Sequence, residues 1–144
     1  MARTIRESKV VVVSEQDLDR AARILRDGGL VALPTETVYG LGANALNSTA
    51  VARIYEAKGR PSTSPLIVHV AAISMAKDLA LHWPAEADSL AERYWPGPLT
   101  MVLRKADRIP SIVTAGGPTV ALRIPRHPAA RALIEAAQLP LAAP

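Results

Sequence analysis

Gly28-Gly29-Leu30-Val31-Ala32-Leu33-Pro34-Thr35-Glu36-Thr37-Val38-Tyr39-Gly40-Leu41-Gly42 is the stretch on which the reading of the fold turns. Leu30, Val31, Ala32 and Leu33 form an apolar run of strand length, halted by Pro34, which has no N–H to give to a ladder. Hydroxyls and a carboxylate follow at once in Thr35-Glu36-Thr37, and α/β sheets commonly present ligand-binding loops just beyond a strand. The same residues equally suit a solvated turn in which Thr and Glu satisfy backbone donors. Glu36, the one acid of this loop, suits the balancing of a nearby cation as well as the work of a base. Gly40-Leu41-Gly42 lacks the third glycine of a dinucleotide fingerprint.

Working outward, Gly28-Gly29 closes a helix whose Leu18, Ala21, Ala22 and Leu25 recur at i, i+3, i+4 and i+7, with Ser14 at its N-cap. The β-branched run of residues 10–13 predicts a strand before it. Downstream, Ser48 predicts the cap of a helix reaching about residue 57, with Val51, Ile54 and Tyr55 as its apolar face. Pro61 and Pro65 forbid a helix ahead of a strand over residues 66–70. Helices are predicted over 73–81 and 85–94. Trp95-Pro96-Gly97-Pro98 reads as a rigid turn, followed by strands over 99–103 and 119–124. Pro128 suits the first turn of a helix ending near residue 138. Leu141 and the alanines after it open one more strand. With no repeat or linker between these elements, the expectation is one α/β (α+β) domain over residues 1–144 with a twisted, mixed sheet. A chain that stops at Pro144 on entering a core strand further suggests a domain incomplete at its C-terminus.

Composition narrows the function. The 144 residues are 49% hydrophobic and 21% charged, an ordinary globular balance that excludes a wholly disordered chain. The absence of Cys excludes disulfides, thiolate nucleophiles and Cys-ligated zinc. Residues 1–9 are polar and basic, and no apolar run is long enough for a secretory signal or a membrane span, so a cytoplasmic protein without a membrane partner is expected. The net charge of +4 comes from scattered rather than blocked cations. Five aromatic residues, Tyr39, Tyr55, Tyr94, Trp83 and Trp95, are too few for a base-stacking platform, which favours a small anionic ligand over single-stranded RNA. His69, His82 and His127 are too far apart for a local metal motif, and no GxxxxGK[ST] loop occurs.

Three further places can carry chemistry. Lys58-Gly59-Arg60-Pro61 aims two cations past a helix end, either at a polyanion or simply at the helix C-terminal dipole. His69 interrupts Leu66-Ile67-Val68; alternation puts Ser64, Leu66 and Val68 on one face and Ile67 with His69 on the other. A lone His in such a strand is ordinarily a hydrogen-bonded core residue. Arg123 alternates with Val120, Leu122 and Ile124, and serves either edge solvation or a carboxylate clamp.

Taken in order, these blocks resemble the YrdC-like domain of threonylcarbamoyl-AMP synthases. The resemblance rests on the run from Gly28 to Gly42, on Lys58-Gly59-Arg60-Pro61 with Pro65-Leu66-Ile67-Val68-His69, on Trp95-Pro96-Gly97-Pro98-Leu99-Thr100, and on Thr119-Val120-Ala121-Leu122-Arg123-Ile124-Pro125. It spans nearly the whole chain, from about residue 17 onward. It implies a YrdC-like fold enclosing a basic cavity, and a reaction that joins L-threonine, bicarbonate and ATP into threonylcarbamoyl-adenylate with release of pyrophosphate. A partner transferase then carries the threonylcarbamoyl group to an adenosine of tRNA. By the same resemblance Lys58 and Arg60 act at the phosphates, and Arg60, Ser64 and Thr119 contact ATP. Thr37, His69 and Arg123 hold L-threonine, with Ala143 offering backbone groups, and Mg²⁺ accompanies ATP.

Two departures from the family pattern stand out. Ser64 occupies a position where members commonly carry Asn, which removes a paired amide donor and acceptor. The Ser-x-Asn half of the family signature would begin just after Pro144, so activity of this chain alone is not implied. Two other readings are a YrdC-like module that binds RNA weakly through its basic face, and a YrdC-like domain excised from a hydrogenase-maturation carbamoyltransferase.

Overall fold

In the computed structural model, which describes residues 15–34, 39–59 and 61–144, the first helix ends where the glycines require. Helix α1 (Glu15–Arg26) buries Ala21, Ala22 and Leu25. Gly28 turns to φ +90°, its amide donating to the Leu25 carbonyl at 3.1 Å and that of Gly29 to Ile24 at 2.8 Å. A left-handed glycine just past a helix satisfies the carbonyls of the last turn. The strand predicted over 10–13 and the Ser14 cap lie outside the described residues.

The chain continues as β1 (Val31–Pro34), β2 (Tyr39–Asn44), α2 (Ser48–Lys58), β3 (Ile67–His69), α3 (Ile73–Leu79), α4 (Ala85–Tyr94), β4 (Met101–Arg104), β5 (Thr119–Arg123), α5 (Pro128–Ala137) and β6 (Leu141–Ala143). The strands form one mixed sheet in the order β1-β2-β6-β3-β5-β4. Only β3 and β5 run parallel; every other neighbouring pair is antiparallel. This is the expected α/β class.

Three details depart from the sequence reading. Strand β2 was not anticipated: residues 39–42 read as loop, yet they pair with β1 in the register Leu33↔Gly40 and Val31↔Gly42. The cap of α2 is Asn47 rather than Ser48, because Asn47 holds the extended backbone (φ −110°, ψ 104°) and its side-chain oxygen accepts from the Ala50 amide at 3.1 Å. Helix α3 stops at Leu79, two residues early, as Ala80 leaves the helix to bridge Lys105 and the Leu81 amide donates to Arg104.

Side chains of paired residues share a face of the sheet. Ala43, Ala142, Val68, Leu122 and Met101 align across five strands on one face. They build the larger core with Val51, Ile54 and Tyr55 of α2, Ala76 and Leu79 of α3, and Ala87 and Ala91 of α4. On the opposite face Leu33, Leu141 and Ala143 pack with α1 and α5 through Leu25, Ala130, Leu133, Ile134 and Ala137. This second layer belongs to the β1–β6 side. Beyond it, Ile67 and Ala121 are half-buried and Val102, paired with Ala121, is 62% exposed.

Candidate functional site

Four of the sequence-predicted residues, His69, Thr119, Arg123 and Ala143, share the sheet face that α1 and α5 cover only on its β1–β6 side. Pairing His69 with both Leu141 and Arg123 puts these three residues in a row across β6, β3 and β5. The adjacent row holds Ala143, Ile67 and Ala121, so Ala143 shares the face of His69 and Arg123. Thr119, four residues before Arg123, lies on that face at the start of β5, opposite Arg104. The alternation read from the sequence therefore holds in both strands.

His69 is only 1% exposed, whereas Arg123 is half-buried. Arg123 donates from Nε and Nη2 to Thr100 Oγ1, at 2.9 and 2.6 Å. Its carbonyl accepts from the Val70 amide at 2.9 Å, and the carbonyl of the next residue, Ile124, accepts from Gly97 at 2.9 Å. Both the backbone and the guanidinium of Arg123 are thus tied to neighbouring segments. A guanidinium so held on an open surface is suited to a carboxylate or phosphate.

The Lys58–Ser64 connection leads from α2 to the start of β3. Lys58 ends α2 and is exposed, and Gly59 caps the helix in the left-handed conformation (φ +61°). Lys58 therefore sits where a cation complements the helix dipole, a placement that leaves its ammonium in solvent to meet an anion as well. Ser64 is half-buried, its amide donating to Pro61 at 3.0 Å. The buried Tyr55 hydroxyl lies 2.9 Å from the Ser64 carbonyl and 3.0 Å from that of Ile112, with its proton shared between them. The Leu66 amide donates to Val113 at 3.0 Å, so the approach to β3 is pinned against residues 112–113 at two points. Thr37 and Arg60 lie outside the described residues.

The candidates thus fall at the two ends of the parallel pair. Ser64 and Thr119 stand at the N-terminal ends of β3 and β5, and His69 and Arg123 at their C-terminal ends. Two supporting residues escaped the sequence reading. Tyr55 was read as apolar helix face, and nothing in the spacing signals its hydroxyl contacts. Thr100 was read as the start of a strand; its role depends on the β4–β5 register, in which Met101 faces Leu122 and the preceding residue comes opposite Arg123. Among the described residues no three His, Asp or Glu side chains converge to hold a metal ion. No described helix is long and apolar enough to cross a membrane.

The six-stranded mixed sheet, with the ordered blocks quoted above, agrees with the YrdC-like class of α/β proteins. Residues 23–144 match the Sua5/YciO/YrdC family model, described as telomere recombination, and the chain belongs to that family. It is 53% identical over 132 residues to a threonylcarbamoyl-AMP synthase of Pyrococcus abyssi, covering 92% of this chain and 39% of that protein. A threonylcarbamoyl-AMP synthase of Bacillus subtilis is 54% identical over 132 residues, covering 91% and 38%. The crystal structure of Pyrococcus abyssi Sua5 complexed with L-threonine superposes with a TM-score of 0.89 at 52% identity, over 93% of this chain and 39% of that one. The chain spans about two-fifths of the length of these relatives.

Proposed function

We propose that this chain carries the substrate-activating chemistry of a threonylcarbamoyl-AMP synthase. The observation that carries the reading is the alignment of Arg123, His69 and Ala143 on one face of the sheet, in a chain 52% identical to a Sua5 crystallised with L-threonine. The names borne by the relatives favour this reading over an RNA-binding module or an excised carbamoyltransferase domain.

In this reading Arg123 takes the carboxylate of L-threonine, His69 and Thr37 address its hydroxyl and amine, and Ala143 offers backbone groups. The neutral amine attacks the bicarbonate carbon, a carbon–oxygen bond breaks and water leaves with the amine proton, and an oxygen of the resulting carbamate attacks the α-phosphorus of ATP. The bond from the α-phosphorus to the bridging oxygen breaks and pyrophosphate departs. Negative charge grows on the phosphoryl oxygens and the leaving group, where Lys58 and Arg60 act as fixed cations, with Ser64 and Thr119 as hydroxyl contacts. Holding the carbamate and the α-phosphorus together supplies much of the rest, and no covalent nucleophile is needed. Mg²⁺ enters as part of the nucleotide substrate. The product then passes to a transferase that modifies tRNA, which places the work in the cytoplasm.

The test is pyrophosphate release by the chain with ATP and Mg²⁺, omitting L-threonine or bicarbonate in turn. Release that needs both is expected. Release indifferent to L-threonine overturns the reading.

A further inference from the structure

We infer that Thr100 is a positioning residue that sets the orientation of the Arg123 guanidinium for its ligand. The inference rests on Arg123 receiving the carboxylate of L-threonine, as proposed above.

Arginine reaches its ligand through a flexible stem, so an unrestrained guanidinium samples many orientations. Here one oxygen, Thr100 Oγ1, accepts from both Nε and Nη2, at 2.9 and 2.6 Å. These two nitrogens lie side by side along one edge of the planar group. Two bonds from one edge to one acceptor fix the direction of that edge, and with it the direction in which the rest of the fork points.

Thr100 is itself held by the segment that precedes it. Trp95 is almost fully buried, and its indole Nε1 donates to the Leu99 carbonyl at 2.8 Å. The Trp95 amide closes the end of α4 on Ala91 at 2.9 Å. Gly97 donates to Ile124, the residue after Arg123. The segment therefore grips β5 beside Arg123 with its backbone and orients the Arg123 side chain with the Thr100 hydroxyl. This gives Trp95-Pro96-Gly97-Pro98-Leu99-Thr100, the one quoted block without an assigned role, a part in the site.

The experiment compares Thr100→Val, which keeps the shape and removes the oxygen, with Thr100→Ser, which keeps the oxygen. L-threonine and ATP are titrated separately into each chain by calorimetry, and the Arg123 Nε–H signal is followed by nitrogen-15 NMR without ligand, assigned by its loss in Arg123→Lys. Thr100→Val is expected to weaken L-threonine binding by about tenfold or more while ATP affinity stays within about twofold, as for loss of hydrogen bonds to a charged group. Its Arg123 Nε–H signal should move and exchange faster with water, and Thr100→Ser should restore both readouts. Thr100→Ala carries the same comparison if the valine variant does not fold. Unchanged L-threonine affinity and an unchanged signal in Thr100→Val overturn the positioning role. If the wild-type chain binds no L-threonine yet the signal moves in Thr100→Val, the coupling of Thr100 to Arg123 stands and the assignment of its ligand falls.

Discussion

Arg123 and His69 face each other across two parallel strands, one half-buried and the other closed off from solvent. That difference sets what each can meet: a half-exposed guanidinium can exchange water for an anion, whereas a buried imidazole meets the groups packed around it. Replacing Arg123 by Ala should raise the L-threonine requirement by about ten- to a hundredfold, the scale of hydrogen bonds to a charged group, while largely sparing ATP binding. Separate titrations of the two ligands check this, and equal damage to both affinities would remove Arg123 from the carboxylate. Both residues were legible in the sequence because His69 interrupts an apolar run and Arg123 alternates with apolar neighbours, and a polar side chain inside such a strand must be accommodated somewhere. Thr100 was not legible, since its contact reaches 23 residues along the chain and arises from the register of Met101 with Leu122 across a long connection, which local sequence does not specify.

Among the elements, the segment from Trp95 to Thr100 shows how a turn acquires a second duty. A Cβ added at Gly97 would stand 2.8 Å from the Tyr94 carbonyl, a backbone atom unable to move without disturbing the end of α4. Gly97→Ala should therefore destabilise the fold by about 1–3 kcal/mol, the usual cost of forcing extra volume into a packed place. Urea unfolding measures it, and a midpoint unchanged from wild type would mean that the turn relaxes freely. Helices α4 and α5 were legible nearly to the residue because apolar periodicity and a proline at the start of α5 act locally. Strand β2 was hidden for the opposite reason. Gly40 and Gly42 have little strand preference, and the element exists because β1 and β6 flank it on either side. Asn47 and Ser48 are both able caps, and only the backbone conformation at Asn47 decides between them.

For the molecule as a whole, the sheet is packed on one face along its length and on the other over the β1–β6 side only. Val68, Leu122 and Ala142 lie at the centre of the larger core, each fully buried. Their amides should exchange with deuterated solvent more slowly than those of β4, the edge strand bearing the exposed Val102. Mass spectrometry or NMR of the exchanging chain reads this, and equal protection in β4 would indicate that the open half-face is covered in solution. The mixed sheet was legible as a class from the succession of strands and helices, but the strand order was not, because it is set by which faces are buried together. The parallel pair β3–β5 also fixes a length. Four residues separate Thr119 from Arg123 along β5, about 13 Å at the rise of a parallel strand, and a hydrogen-bonded strand does not stretch. It acts as a ruler: two small ligands held at its opposite marks must meet between them to react, and the molecule made by joining them has to span both.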